Sequence, residues 1–153
     1  MIFPLQLILS IAVAASSYCH PENARSGYFS QYSQAPTDGT IDYHQNVSGV
    51  LPQDLSGYAG VIAVQDCSLV GADAWMWVSD SRANPEYTRV WLQVKVFDCS
   101  GHLETTEWMN QNNILGELGY YLANDLGLYG QGGISGEILF EDPIRAIAEC
   151  FVD

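Results

Sequence analysis

Val90-Trp91-Leu92-Gln93-Val94-Lys95-Val96-Phe97-Asp98-Cys99-Ser100-Gly101 is the stretch that decides the fold. Val90, Leu92, Val94 and Val96 fall on one face, and Trp91, Gln93, Lys95 and Phe97 on the other. Strict alternation is the period of a strand with one buried face. Asp98 stands where this strand is expected to end, beside a disulfide candidate, and Ser100-Gly101 turns the chain. A turn aspartate bonded to nearby amides explains such a residue. So does an acid exposed at the mouth of a β structure.

The neighbouring segments repeat the pattern. Ala74-Trp75-Met76-Trp77-Val78-Ser79 also alternates, with Trp75 and Trp77 on one face, and the loop 80–86 holds Asn84-Pro85, so the two stretches predict a hairpin. Residues 58–64 form a short apolar run, expected as a buried strand, and 67–71 turn the chain. After Gly101, residues 103–113 suggest a helical turn around Trp108 and Met109. Residues 114–118 and 134–141 are strand candidates. Residues 119–126 form the best helix, with Leu118, Tyr121, Leu122 and Leu126 on one face and Gly127 as its stop. Upstream, residues 27–32 and 40–43 are strand candidates, and Pro36-Thr37-Asp38-Gly39 is a turn signal. About six short strands at this spacing predict a mainly β protein built as a small barrel or sandwich.

The chain of 153 residues fits one domain. Residues 1–17 are expected to be a secretory signal: residues 5–15 are apolar but too short for a span, and small residues follow them. Cleavage after Ala15 or after Ser17 fits equally, although no Lys or Arg precedes the apolar run. Residues 18–26 are expected as an N-terminal arm, 27–141 as the barrel domain and 142–153 as a tail. With 18 acidic against 5 basic residues, the net charge of −13 opposes binding to nucleic acids and anionic membranes. Neutral glycans and basic protein surfaces are compatible partners. The protein is expected to be a monomer with no membrane association after signal cleavage.

The four cysteines, Cys19, Cys67, Cys99 and Cys150, contain no C-x-x-C pair and have no histidine partner set. That argues against zinc and for two disulfides. Four cysteines allow three pairings. The favoured one joins Cys67 to Cys99, both at ends of core strands, and leaves Cys19 with Cys150. The latter bridge would close a long loop, worth roughly 4 to 5 kcal/mol in the loop-entropy model. Asn46-Val47-Ser48 is a glycosylation acceptor at Asn46. His20, His44 and His102 share no spacing, and no metal or other cofactor is expected.

Three stretches resemble the double-psi beta-barrel domains of the rare lipoprotein A, barwin and expansin group. Gly27-Tyr28-Phe29-Ser30-Gln31-Tyr32 with Thr37-Asp38-Gly39 is similar to the opening G-x-A-S-x-Y and T-A-x-G of that group. Residues 91–98 look like its core strand ending in an acid. Glu117-Leu118-Gly119-Tyr120-Tyr121-Leu122-Ala123-Asn124-Asp125-Leu126-Gly127 looks like its D-L-S-x-x-A-x-x-x-L-G helix. The resemblance implies a six-stranded double-psi barrel with one short helix, secreted or wall-associated, whose groove meets cell-wall polysaccharide. It places Asp98 in that groove. The chain departs from the pattern in three ways. Cys99-Ser100-Gly101 follows the acid where many members have Arg-Gly-Pro, Asp66-Cys67 stands near the place of a family histidine, and the expansins' second domain is absent.

Glycoside cleavage usually needs two carboxylates. Asp98 is the first candidate catalytic residue, with Asp38 and Asp66 as possible partners. One acid suffices where the sugar's own hydroxyl attacks. Tyr28, Tyr32, Thr37 and Trp91 are the candidate ligand-binding residues, although any one Trp is more often a core residue. The missing companions favour a module that binds a wall glycan or an extracellular protein with little or no catalysis. The alternatives are a small glycan-cleaving enzyme, of lytic transglycosylase or glycoside hydrolase type, using Asp98, and a secreted effector or inhibitor.

Overall fold

A computed structural model describes residues 21–31 and 55–145. The signal segment, Cys19, Tyr32, Thr37, Asp38, Asn46 and Cys150 lie outside the described residues. Six strands form a closed barrel: β1 (Arg25–Gln31), β2 (Gly60–Val64), β3 (Asp73–Val78), β4 (Trp91–Cys99), β5 (Ile114–Leu118) and β6 (Ile134–Leu139), in the order β1-β5-β2-β4-β3-β6. β1 begins at Arg25 rather than Gly27, because Arg25 and Ser26 pair with Ile138 and Glu137 of β6.

β1 runs parallel to β5 and β2 parallel to β4, while every other contact around the ring is antiparallel. Exchanging β1 with β4, β2 with β5 and β3 with β6 reproduces the same ring and the same strand directions. This mixed, internally paired topology is compatible with a double-psi barrel. Closure leaves no open sheet edge.

The alternation of β4 sends Val94 and Val96 into the barrel, where both are fully buried beside Phe29, Ile62, Met76 and Leu118. Gln93 and Lys95 point outward. The Lys95 ammonium lies 3.2 Å from the Asp73 carboxylate and 5.2 Å from the centre of the Tyr58 ring. The alternation then breaks. β2 and β4 pair Ile62 with Val96 but Ala63 with Asp98, so Phe97 is an extra residue in β4. Such a bulge sets two residues of one strand against one of its partner. Phe97 packs with Ala63, Val61 and Leu55 in a small cluster outside the barrel core.

The helical turn expected around Trp108 is a nine-residue helix, α1 (Leu103–Gln111). It buries Met109 and leaves Trp108 exposed at 45%. The second helix, α2 (Tyr120–Asp125), buries Leu122 and Ala123. Its first turn fits closely against β2, where a Cβ added at Gly60 would come within 2.7 Å of the Leu122 side chain. Gly127, at φ 73°, takes the left-handed conformation that ends the helix.

The disulfide joins Cys67 and Cys99, with their Cα atoms 5.0 Å apart. It ties the turn after β2 to the end of β4. Beside it the Ser100 amide donates to the Val64 carbonyl at 2.9 Å.

Candidate functional site

The bulge at Phe97 decides where Asp98 points. An unbroken period of two would send Asp98 inward with Val94 and Val96. The extra residue instead sets Asp98 level with Ala63, whose neighbours Ile62 and Val64 face the core while Ala63 faces outward. Residues level with each other in adjacent strands share a face of the sheet. Asp98 therefore stands on the outer wall of the barrel, within β4 and not beyond its end.

Ala63 is also level with Glu117 of β5, and Glu117 with Ser30 of β1. Ser30, Glu117, Ala63 and Asp98 thus form one outward row across four strands. Asp98 and Glu117 flank the small Ala63, two strand spacings or about 10 Å apart at the backbone. That backbone separation is compatible with the carboxyl separation of roughly 6.5 to 9.5 Å used by inverting glycosidases. β5 approaches β2 closely because residue 116 is glycine: a Cβ there would lie 2.7 Å from the Ala63 carbonyl oxygen.

Glu117 is half-buried, and its pKa is raised, first by desolvation and further by the charge of Asp98. The Ser30 hydroxyl donates to Glu117 Oε1 at 3.4 Å and opposes that shift. Asp98 Oδ1 accepts the Cys99 amide at 2.8 Å. Two carboxyl groups whose surroundings differ, one desolvated and one bonded to its own backbone, are a usual arrangement for an acid and its partner.

The other sequence candidates separate. Asp66 caps the 3-10 turn Cys67–Leu69, accepting the Ser68 amide at 2.9 Å and the Ser68 hydroxyl at 2.7 Å. Those bonds lower its pKa, so it serves the turn as a capping carboxylate. Trp91 begins β4 and Asp98 lies near its other end, roughly 23 Å away at the rise of an extended strand. The fold therefore does not bring the candidate Trp91 to Asp98. Trp91 packs against Trp77, with ring centroids 5.5 Å apart. Tyr28 is outward on β1 and 47% exposed.

Glu117 is the residue that sequence reasoning missed. It lay inside the quoted helix motif, where it read as one acid among 18. Its signal is local: in Ile114-Leu115-Gly116-Glu117-Leu118 it is the single charge of an otherwise apolar strand.

Among the described residues, no group of three or more His, Cys, Asp and Glu is arranged to hold a metal ion. No helix among them is long and apolar enough to cross a membrane. No protein-family model, curated protein or solved structure matches the chain.

Proposed function

We propose that this protein is a secreted double-psi barrel of the expansin, barwin and lipoprotein A kind that acts on an uncharged cell-wall glycan. Glu117 serves as general acid and Asp98 as its charged partner. The observation that carries the reading is the row in which Asp98 and Glu117 flank Ala63, with Glu117 desolvated and held towards its protonated form. The internally paired strand order supports the barrel type. The apolar segment 1–17 and the Cys67–Cys99 bridge support secretion, since disulfides persist in oxidising compartments.

In this scheme Glu117 gives its proton to the glycosidic oxygen as the C–O bond breaks. Asp98 takes a proton from the attacking water, or from the sugar hydroxyl in lytic cleavage. Ser30 orients Glu117. The net charge of −13 favours a neutral polymer over an anionic one.

The test is incubation with neutral wall polysaccharides, with products read by mass. Wild type releases oligosaccharides, and Glu117→Gln and Asp98→Asn fold but release at least 100-fold less, the order of general acid–base contributions. Absence of products from every polysaccharide overturns the catalytic assignment.

A second reading, binding without cleavage, is favoured by the Asp98–Cys99 amide bond, which ties the carboxylate to its own strand. Retention on an insoluble glycan without any released product would select it.

A further inference from the structure

We infer that the opposite side of the barrel carries a second site, a groove that binds a neutral oligosaccharide. Ser26 of β1, Glu137 of β6, Trp77 of β3 and Trp91 of β4 are level with one another in successive antiparallel strands. On β3 the alternate residues Met76 and Val78 are fully buried, so Trp77 faces outward. The same alternation in β6 buries Ile134 and Ile138 and turns Ser135 and Glu137 to the surface. Above Ser26, Tyr28 is level with Ser135.

Ser26, Tyr28, Trp77, Ser135 and Glu137 border a groove of about 430 Å³, within the size range of small-molecule sites. Gly136 belongs to its lining, and a Cβ at that position would collide with the Trp77 carbonyl oxygen. That absent Cβ points into the barrel, against the ring of buried Phe29, so the glycine lets β6 pack closely on β3 and β1.

Its chemistry selects the ligand. No Lys or Arg lines the groove, and its one charged lining residue is Glu137. A phosphate or carboxylate would meet that charge with no compensating cation. Tyr28 and Trp77 offer aromatic faces on which the apolar face of a sugar ring stacks. Trp77 is backed by Trp91 at an interplanar angle of 57°. Glu137 Oε1 accepts the Ser26 hydroxyl at 2.9 Å and so turns the lone pairs of the Ser26 oxygen to sugar hydroxyl donors, while Glu137 Oε2 is itself buried. Ser79, Ser135 and Asn113 add hydroxyls and a carboxamide, which both donate and accept. A cationic ligand would use the aromatic faces and Glu137 but would leave these donors without a role. A polyhydroxyl ligand uses all of them.

The site is distinct from the acidic row. The two rows reach β1 at Ser26 and Ser30, about 13 Å apart along the strand. Binding in the groove does not require cleavage by Glu117.

The probes are the neutral hexaoses of β-1,4-linked glucose and of β-1,4-linked N-acetylglucosamine, with tetralysine as the cationic control. Binding is read by calorimetry and by tryptophan fluorescence on the full chain as secreted. At least one hexaose is expected to bind and to change the tryptophan emission, with tetralysine not competing. Tyr28→Ala, at an exposed position, is expected to weaken binding by about three- to tenfold while the fold is kept. Glu137→Gln is expected to weaken it, and Glu117→Gln to bind as wild type does. Failure of both hexaoses to bind overturns the inference. So does competition by tetralysine, or unchanged affinity in Tyr28→Ala and Glu137→Gln together. Loss of cleavage with binding retained in Glu117→Gln separates this site from the acidic row.

Discussion

The two sides of the barrel are built from the same components and end in different chemistry. On each side four outward residues run from β1 to β4, and on each side a serine of β1 donates to a glutamate of the next strand, Ser30 to Glu117 and Ser26 to Glu137. The β5–β2 side contains both parallel pairs, and each of those pairs has a register shift. The β6–β3 side is antiparallel and pairs residue by residue without one. The shifts bring a second carboxylate, Asp98, into the row of Glu117. The regular side brings two indoles into the row of Glu137. A glutamate beside a serine thus becomes a proton donor or a binding group according to what the next strands set level with it.

The bridge between Cys67 and Cys99 lies at the irregular side, so its removal should break the comparison most. Cys67→Ser is expected to cost about 2 to 5 kcal/mol, seen as a fall in melting temperature of roughly 5 to 20 °C. It should melt well below Asn46→Gln, whose residue lies outside the described barrel. A lower melt for Asn46→Gln would show that the bridge does not anchor the core. Gly116→Ala tests the close approach of β5 to β2. Its Cβ would meet the Ala63 backbone oxygen at 2.7 Å, a clash that backbone must relieve. The expected cost is about 1 to 3 kcal/mol in chemical denaturation, with cleavage lost and hexaose binding in the groove retained.

pH should sharpen the contrast, because the two sides respond in opposite directions. Next to the groove, buried Asp80 holds Arg82 through bonds of 2.9 and 2.7 Å and accepts the Ser135 amide at 3.3 Å. Its pKa falls from 3.8 to about 2, chiefly through Arg82. A lowered carboxyl pKa stabilises the fold above the unfolded value and loses that contribution as pH drops through the folded value. The loss between about pH 4 and pH 2 is at most about 2 kcal/mol, reduced by the exposure of Arg82. Asp80→Asn should flatten this limb of the stability profile.

Glu117 runs the other way and has the smallest effect. Its folded pKa is raised, so its contribution is full below the unfolded pKa of about 4.3 and is lost as pH rises through the folded value. Glu117→Gln should therefore gain stability relative to wild type as pH rises through that window. Asp98→Asn should lower the pKa of Glu117, readable by NMR titration of its side-chain carboxyl. An unchanged titration would show that the two carboxylates are not coupled.

Alternation was legible wherever a strand stayed regular. Residues 90–97 announced their two faces because an aliphatic residue at every second position suits a half-buried strand, and Val94 and Val96 are fully buried. The Cys67–Cys99 bridge was legible because Cys99 closes a core strand and Cys67 stands in the turn that follows another. α2 was legible from Leu122, Leu126 and its glycine stop, although Tyr121, expected on the same apolar face, is exposed. The outward turn of Asp98 was not, because period two carries face information only as far as the next bulge. The bulge at Phe97 arises from pairing with β2, over 30 residues away in the chain. The same limit hid Glu117, whose neighbours Ser30, Ala63 and Asp98 come from three other strands. It also set Trp91 and Asp98 among the candidate residues of one site, although one extended strand holds them far apart. A strand's own residues determine which of its faces is buried. Which side chains share a row across the barrel is decided by register between distant strands, and that is a property of the closed barrel alone.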